Sequence, residues 1–352
     1  MPITKRSTYL DVLRLLACFL VCVNHAEVYQ WFTGQSADGS PLTLLVVTIS
    51  ILATLNVPLY FMVTGAVLLR KEESYRSVLR NRILRFAALL ALVTLLKYLI
   101  TDVGTRSFMG WFRTLTSCGI CVSYWFLYAY LGFLLALPLL QRIARVLRGE
   151  DILMLIFLRI VIKFLFPVGN AALDALSLQP IVLSGNLQLP FSTVDILFYP
   201  LVGYYLANLP REKLTGRVTK ACWAVFLIGT AVTLAVSHYY GGKEGFTQNY
   251  LTLSNFTSNI AVFLLIRSFF EKRTVPEKTA GFLAKVSGCT LGIYISESFL
   301  WDIFSGPANN ILWQLSPLPR ILGNILWCLF IMTSGCCITW IVRKIPGFRK
   351  LL

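Results

Sequence analysis

Eleven residue steps separate Arg14 from His25 inside the first apolar stretch, YLDVLRLLACFLVCVNHAEVYQWF, which runs from Tyr9 to Phe32. Wound as an α-helix, eleven steps of about 100° bring the two side chains to within about 20° of each other, roughly 16 Å apart along the axis. One helix face then carries a fixed guanidinium and a titratable imidazole. An imidazole exchanges protons near neutral pH, so it can act as a general base or as a nucleophile. A guanidinium offers a fork of donors that matches phosphate oxygens. A charge at the centre of a bilayer costs about 2.5–3.5 kcal/mol on insertion scales, so ionisable groups there mark functional positions. Asp11, three residues before Arg14, is placed to neutralise it, and Arg14 reads equally well as an interfacial anchor. Glu27 lies about 200° around from His25 and does not share its face.

The elements that must position these groups follow from composition. Of the 352 residues, 57% are hydrophobic and 14% charged, where a soluble chain carries about a quarter charged residues. The mean hydropathy is +0.70. The apolar runs are longer than barrel strands and lack alternation, which argues against an outer-membrane barrel. The class is all-α polytopic membrane protein, with about ten transmembrane helices expected near 9–31, 43–69, 83–102, 122–141, 151–168, 191–209, 220–240, 250–270, 285–304 and 321–342. One integral-membrane domain over residues 1–352 is expected, with no separate soluble domain. The basic start followed by a full-length span reads as a retained signal anchor rather than a cleaved signal peptide.

A net charge of +16 suggests nucleic acid until the placement of the charges is examined. Alternate loops and their flanks hold 24 Lys and Arg on one side and 4 on the other. The densest is the second loop, with Arg70, Lys71, Arg76, Arg80, Arg82 and Arg85. Such asymmetry marks the cytoplasmic side and places both termini there. The basicity is a topology signal, with some attraction to anionic lipid or to a phosphorylated cytoplasmic ligand; no nucleic-acid partner is implied.

That topology gathers intramembrane charge in the outer half: His25, Lys97, Lys163, Asp195, His238, Glu297 and Asp302, with Arg14 and Arg159 nearer the cytoplasm. A hydrated cavity opening outward would suit a hydroxyl-rich ligand. Lys97, Lys163 and His238 stand where long side chains snorkel to the head groups. Glu297, Asp195 and Asp302 are the candidates to orient the His25 imidazole from other helices. Trp31, Trp111, Trp125 and Trp301 fall near the expected interfaces, as aromatic belts do. Gly281 and Gly288 read as packing positions.

Most of the nine cysteines lie in spans and act as small apolar residues. Cys118 and Cys121 form a CxxC before the fourth span, read as a disulfide or two thiols, since zinc needs four ligands. Two histidines in the whole chain exclude a histidine-rich metal centre, and no metal site is expected. The chain has no G-x-G-x-x-G, P-loop, HExxH or GxSxG with triad partners.

The segments also match a known pattern. LDVLRLLACFLVCVNH (Leu10 to His25), NVPLYFMVTGAVLL (Asn56 to Leu69), YRSVLRNRILRF (Tyr75 to Phe86), YWFLYAYLGFLLALPLL (Tyr124 to Leu140) and SGCTLGIYISESFLW (Ser287 to Trp301) resemble, in order, the signature stretches of acyltransferase family 3. The resemblance implies a ten-helix core. It would move an acyl group, commonly acetyl, from cytoplasmic acetyl-CoA or another acyl-CoA to a glycan or lipid-linked saccharide, in a bacterial inner membrane. Members O-acetylate O-antigen, enterobacterial common antigen and other surface polysaccharides. By position, His25 would be catalytic, with Glu297 standing where the family usually has a second His. Arg14, Arg82 and Arg85 would hold the acyl-CoA. Asp195, Tyr124, Trp125 and Asp302 would line the acceptor cavity. The extracytoplasmic SGNH-type domain of some relatives is not part of this chain. The rival reading, a transporter or flippase of a glycolipid or polar solute, accounts for the spans and the cavity. It gives no use to phosphate-binding arginines, and no half-to-half repeat is evident.

Overall fold

The structure, a computed structural model, describes residues 7–26, 41–101, 106–184, 191, 194–244, 251–348 and 351. Glu27 and Trp31 lie outside the described residues. Helices are the only regular elements among those described, as an apolar chain with no water to satisfy its backbone requires. In chain order they are α1 (Thr8–His25), α2 (Pro41–Ala53), α3 (Asn56–Leu68), α4 (Tyr75–Ile100), α5 (Phe108–Ser117), α6 (Trp125–Val146), α7 (Gly149–Ala175), α8 (Asp195–Asn208), α9 (Gly216–Glu244), α10 (Asn255–Glu271), α11 (Glu277–Ser287), α12 (Thr290–Gln314) and α13 (Pro317–Val342).

Local chemistry sets many of the ends. The Ser74 hydroxyl accepts from the Ser77 N–H at 3.2 Å and starts α4; Ser107 does the same for Gly110 at 3.0 Å in α5. These are ordinary N-caps. Cys118 closes α5 in the left-handed conformation, φ 57°. The Asp151 carboxylate accepts the Arg148 N–H at 2.7 Å and opens α7. Two helices contain one wider π turn each, at Leu79–Ile83 in α4 and Val161–Leu165 in α7.

Seven of the described helical stretches are long and apolar enough to cross a membrane: Thr8–His25, Pro41–Leu68, Tyr75–Ile100, Val122–Val146, Gly149–Ala175, Gly216–Tyr239 and Leu318–Val342. The other three expected spans also fall on helices. Of these, α8 has 14 residues and α10 has 17, so each is shorter than the roughly 20 residues a bilayer needs. The third, α12, has 25 residues but is broken up by Glu297, Asp302 and several serines.

The chain divides into two compact units: Met1–Val67 with Val146–Ser287, and Leu68–Arg145 with Gly288–Leu352. In the first, α1 packs on α2, α10 and α11, and α9 packs on α2 and α10. The Tyr9 ring meets Phe263 edge-on at 6.0 Å, and the buried Thr233 and Ser254 hydroxyls pair at 2.8 Å. The backbones of α3 and α8 cross in direct contact. A Cβ on Gly65 would stand 2.5 Å from the Pro200 carbonyl carbon, and one on Gly203 2.5 Å from that of Met62. In the second unit α12 and α13 pair lengthwise, with Gly335 against Ile293 and Ser296. Gly281, expected at a packing seam, has nothing within 4 Å of its Cβ direction; Gly65, Gly203 and Gly335 hold the close crossings instead.

Candidate active site

In the first unit one unbroken helix carries both Arg14 and His25. Regular winding keeps them on a common face, about 16 Å apart along the axis. His25 is the last helical residue of α1 and is half-buried. Arg14 is tied at the other end. Its Nη1 donates to the Ser287 hydroxyl at 3.0 Å and lies 3.5 Å from the buried Asp11 carboxylate. Ser287 in turn donates to Asp11 Oδ1 at 2.6 Å. The neutralising role expected of Asp11 is therefore present, with a serine from the end of α11 between acid and base.

Asp195, the first residue of α8, pairs with the buried Arg159 of α7 at 2.5 Å. The Arg159 guanidinium also stands over the Phe198 and Tyr199 rings, 4.7 and 5.0 Å from their centroids. The topology put Arg159 nearer the cytoplasm and Asp195 near the outer surface. Their ion pair sets them at one level, because α8 is short and begins part-way along α7.

The second unit gathers several of the other candidates on one stretch of α12. Glu297 is buried, 5% exposed. The next residue, Ser298, shares a hydrogen bond with the Tyr124 hydroxyl at 2.6 Å, and Tyr124 itself is buried at the entry of α6. Trp125 is half exposed, so the two neighbouring aromatics face opposite environments. Lys97 of α4 donates to the Ser298 carbonyl at 2.9 Å and pairs with the Asp302 carboxylate. Lys97 is buried, with its ammonium 5.2 Å from the Phe299 centroid. The snorkelling expected of it does not occur, because an acceptor and a counter-ion lie within the unit.

Of the basic loop, Arg82 is engaged. Its Nε and Nη2 fork onto Glu73 at 2.9–3.2 Å, and the Gln141 side chain bridges Glu73 to the Leu68 carbonyl. Arg145 likewise takes Glu72 at 2.8 Å and the Lys71 carbonyl at 3.2 Å. That guanidinium holds the Glu72 carboxyl below the usual carboxylate range. Arg76, Arg80 and Arg85 are exposed. Of the three arginines expected to hold the donor, Arg85 is the exposed one, while Arg14 and Arg82 are half-buried.

At the CxxC, the Cys118 thiol lies 3.5 Å from the Cys121 carbonyl, and the Cys121 thiol 3.0 Å from the Ser123 hydroxyl. Both cysteines are thiols, and burial, then the neighbouring Cys121, pushes the Cys118 thiol up.

Sequence reasoning missed Ser287, Ser298 and Glu73, the groups that hold Arg14, Tyr124 and Arg82. Serines are common on membrane helices and give no signal of their own. Glu73 was visible as an acid within a basic loop.

No curated protein and no solved structure matches the chain. The acyltransferase domain of acyltransferase family 3 matches residues 7–344, nearly the full length and both units. An apolar helical chain with that match is a membrane acyltransferase, and it belongs to acyltransferase family 3.

Proposed function

We propose that this enzyme transfers an acyl group, acetyl first among them, from cytoplasmic acyl-CoA to a hydroxyl of a glycan or lipid-linked saccharide destined for the surface of a bacterial cell. Its place would be the inner membrane, with both termini in the cytoplasm. The observation that carries this reading is the continuous α1, with a guanidinium and an imidazole on one face about 16 Å apart. That separation suits a donor and an acceptor that meet from opposite ends of the helix.

In this reading the phosphates of acyl-CoA bind the exposed basic end of α4, through Arg85 and through Arg82 when it leaves Glu73. Arg14, steadied by Asp11 and Ser287, lies along the path of the pantetheine arm. His25 removes the proton of the acceptor hydroxyl as its oxygen attacks the thioester carbonyl. The C–S bond breaks, the CoA thiolate leaves, and the imidazolium returns the proton to it. Alternatively His25 takes the acyl group first and passes it on. Glu297, by its place in the family pattern, is assigned as the second catalytic group. Tyr124, Trp125, Asp195 and Asp302 contact the acceptor.

A general base contributes about 10²–10⁴-fold to rate. His25→Ala in membrane vesicles supplied with labelled acetyl-CoA should lower transfer to saccharide by at least a hundredfold, with the protein still inserted. Transfer at the wild-type rate would remove His25 from the mechanism. Arg85→Ala should raise the KM for acetyl-CoA and leave the acceptor KM alone.

A further inference from the structure

Lys97, the partner of Asp302, has no role in the transfer step just described. Its two halves sit in unlike surroundings. The Lys97 side chain is 5% exposed and that of Asp302 is 48% exposed. Lys97 spends its donors on Asp302 Oδ2 and on the Ser298 main-chain carbonyl. Among the described residues the second carboxylate oxygen, Oδ1, takes no hydrogen bond, and the Asp302 side chain is half exposed. A salt bridge that served only to join α4 to α12 would be matched or bettered by apolar packing, since desolvating a cation on this scale is unfavourable. Burying the cation and opening the anion leaves a carboxylate fixed in direction, with acceptor capacity to spare.

A fixed carboxylate with one open oxygen suits a neutral ligand that brings several O–H donors, and it repels a second anion. The neighbourhood adds aromatic surface. Trp301, next to Asp302, meets Trp327 of α13 edge-on at 6.1 Å, and Trp327 stacks on Phe330 at 5.4 Å. Rings on the same segment of α12 and on α13 offer apolar surface of the kind the C–H side of a sugar ring packs on. The Tyr124–Ser298 hydrogen bond lies on the same stretch of α12 as the Lys97 contact, so the two ties fix this segment from α6 and from α4.

We infer that Lys97 is a positioning residue for acceptor recognition: it fixes Asp302 so that the open carboxylate oxygen receives a hydroxyl of the saccharide. The inference rests on the proposed glycan acceptor and deepens it, by assigning the acceptor's hydroxyl contact to a carboxylate and its direction to a buried lysine.

The test uses the full-length protein in lipid nanodiscs, labelled acetyl-CoA as donor and octyl β-glucoside as the saccharide probe. Asp302→Asn and Lys97→Met should each raise the KM for the glucoside at least tenfold while the KM for acetyl-CoA holds. Lys97→Arg should recover most of the loss, because it restores a cation at the same carboxylate. A tie that is merely structural would lower yield and the maximal rate without separating the two KM values. Asp302→Asn, at a half-exposed position, keeps the test decisive even if Lys97→Met does not fold. An unchanged glucoside KM in Asp302→Asn, with an active wild-type protein, overturns this inference alone. A wild-type protein that acetylates no saccharide under the same conditions overturns the parent reading and this one with it.

Discussion

The crossing of α3 and α8 allows a worked prediction. Gly203→Ala places a methyl group 2.5 Å from the Met62 carbonyl carbon, and Gly65→Ala places one 2.5 Å from that of Pro200. Ordinary carbon contacts begin near 3.4 Å, so either methyl requires the helices to part by about 1 Å. The obstructing atoms are backbone, which cannot rotate aside as a side chain can. Overpacking a tight site costs about 1–3 kcal/mol, and a backbone obstacle belongs at the upper end. With an unfolding entropy of about 2.1 cal/mol/K per residue, a chain of 352 residues loses about 1.4 °C in Tm per kcal/mol, so each single variant should lose roughly 4 °C. The two methyls fall at one crossing, and a separation made for one accommodates much of the other. The double variant should therefore lose clearly less than the sum of the singles, as coupled neighbours do. Gly169→Ala is the control: that helical glycine has nothing within 4 Å, and Ala is favoured there by about 0.8–1.0 kcal/mol. Thermal unfolding of the purified protein in one detergent, followed by intrinsic fluorescence, reads all four. A Gly203→Ala protein within 1 °C of wild type, or a double loss equal to the sum, would refute the close crossing.

Further tests address the polar ties. Ser287→Ala removes the hydroxyl shared by Asp11 and Arg14 and should cost about 1.5–3 kcal/mol, the range for hydrogen bonds to charged groups, with a raised KM for acetyl-CoA; an unchanged KM separates this tie from donor binding. Glu73→Gln should release the Arg82 fork and lower the acetyl-CoA KM, and a KM that stays put would exclude Arg82 as a phosphate ligand. Arg267 is buried and donates to the Leu206 and Leu209 carbonyls at the end of α8 as well as to Glu271. Arg267→Lys cannot reproduce that fork and should lower Tm nearly as far as Arg267→Ala, whereas a Tm equal to wild type would show that one donor suffices. Glu72, whose carboxyl is held down by Arg145, strengthens the native state only while ionised. That contribution is in place above the unfolded value of about 4.3 and disappears as pH falls through the lower folded value. Glu72→Gln should flatten the acid limb of Tm against pH relative to wild type, and coincident limbs would dismiss the tie.

Much of the architecture could be read from the chain because lipid leaves few options. Apolar runs of about twenty residues become helices, and the ten expected spans all fall on helices, 43–69 on the pair α2 and α3 and 285–304 across the end of α11 and α12. The shared face of Arg14 and His25 followed from helical period alone. What period cannot reveal is which helices touch. Lys97 read as a snorkelling cation because nothing in its own segment could neutralise it, and the partner lies 205 residues away. Counting along separate spans sets Arg159 and Asp195 toward opposite membrane faces, and only their ion pair shows them at one level. Gly65 and Gly203 drew no attention, while Gly281, in a more suggestive setting, meets open space. The five matched segments carried the family because their order along the chain is itself information, independent of any contact.

The π turn at Leu79–Ile83 is a change of phase. In uninterrupted α winding the nine steps from Arg76 to Arg85 would leave the two side chains about 180° apart, on opposite sides of the rod. A π turn absorbs one extra residue, and the angle closes to about 80°. The basic end of this helix is thus a product of winding as much as of composition: deleting one residue inside that turn would scatter its arginines around the axis without altering a single charge.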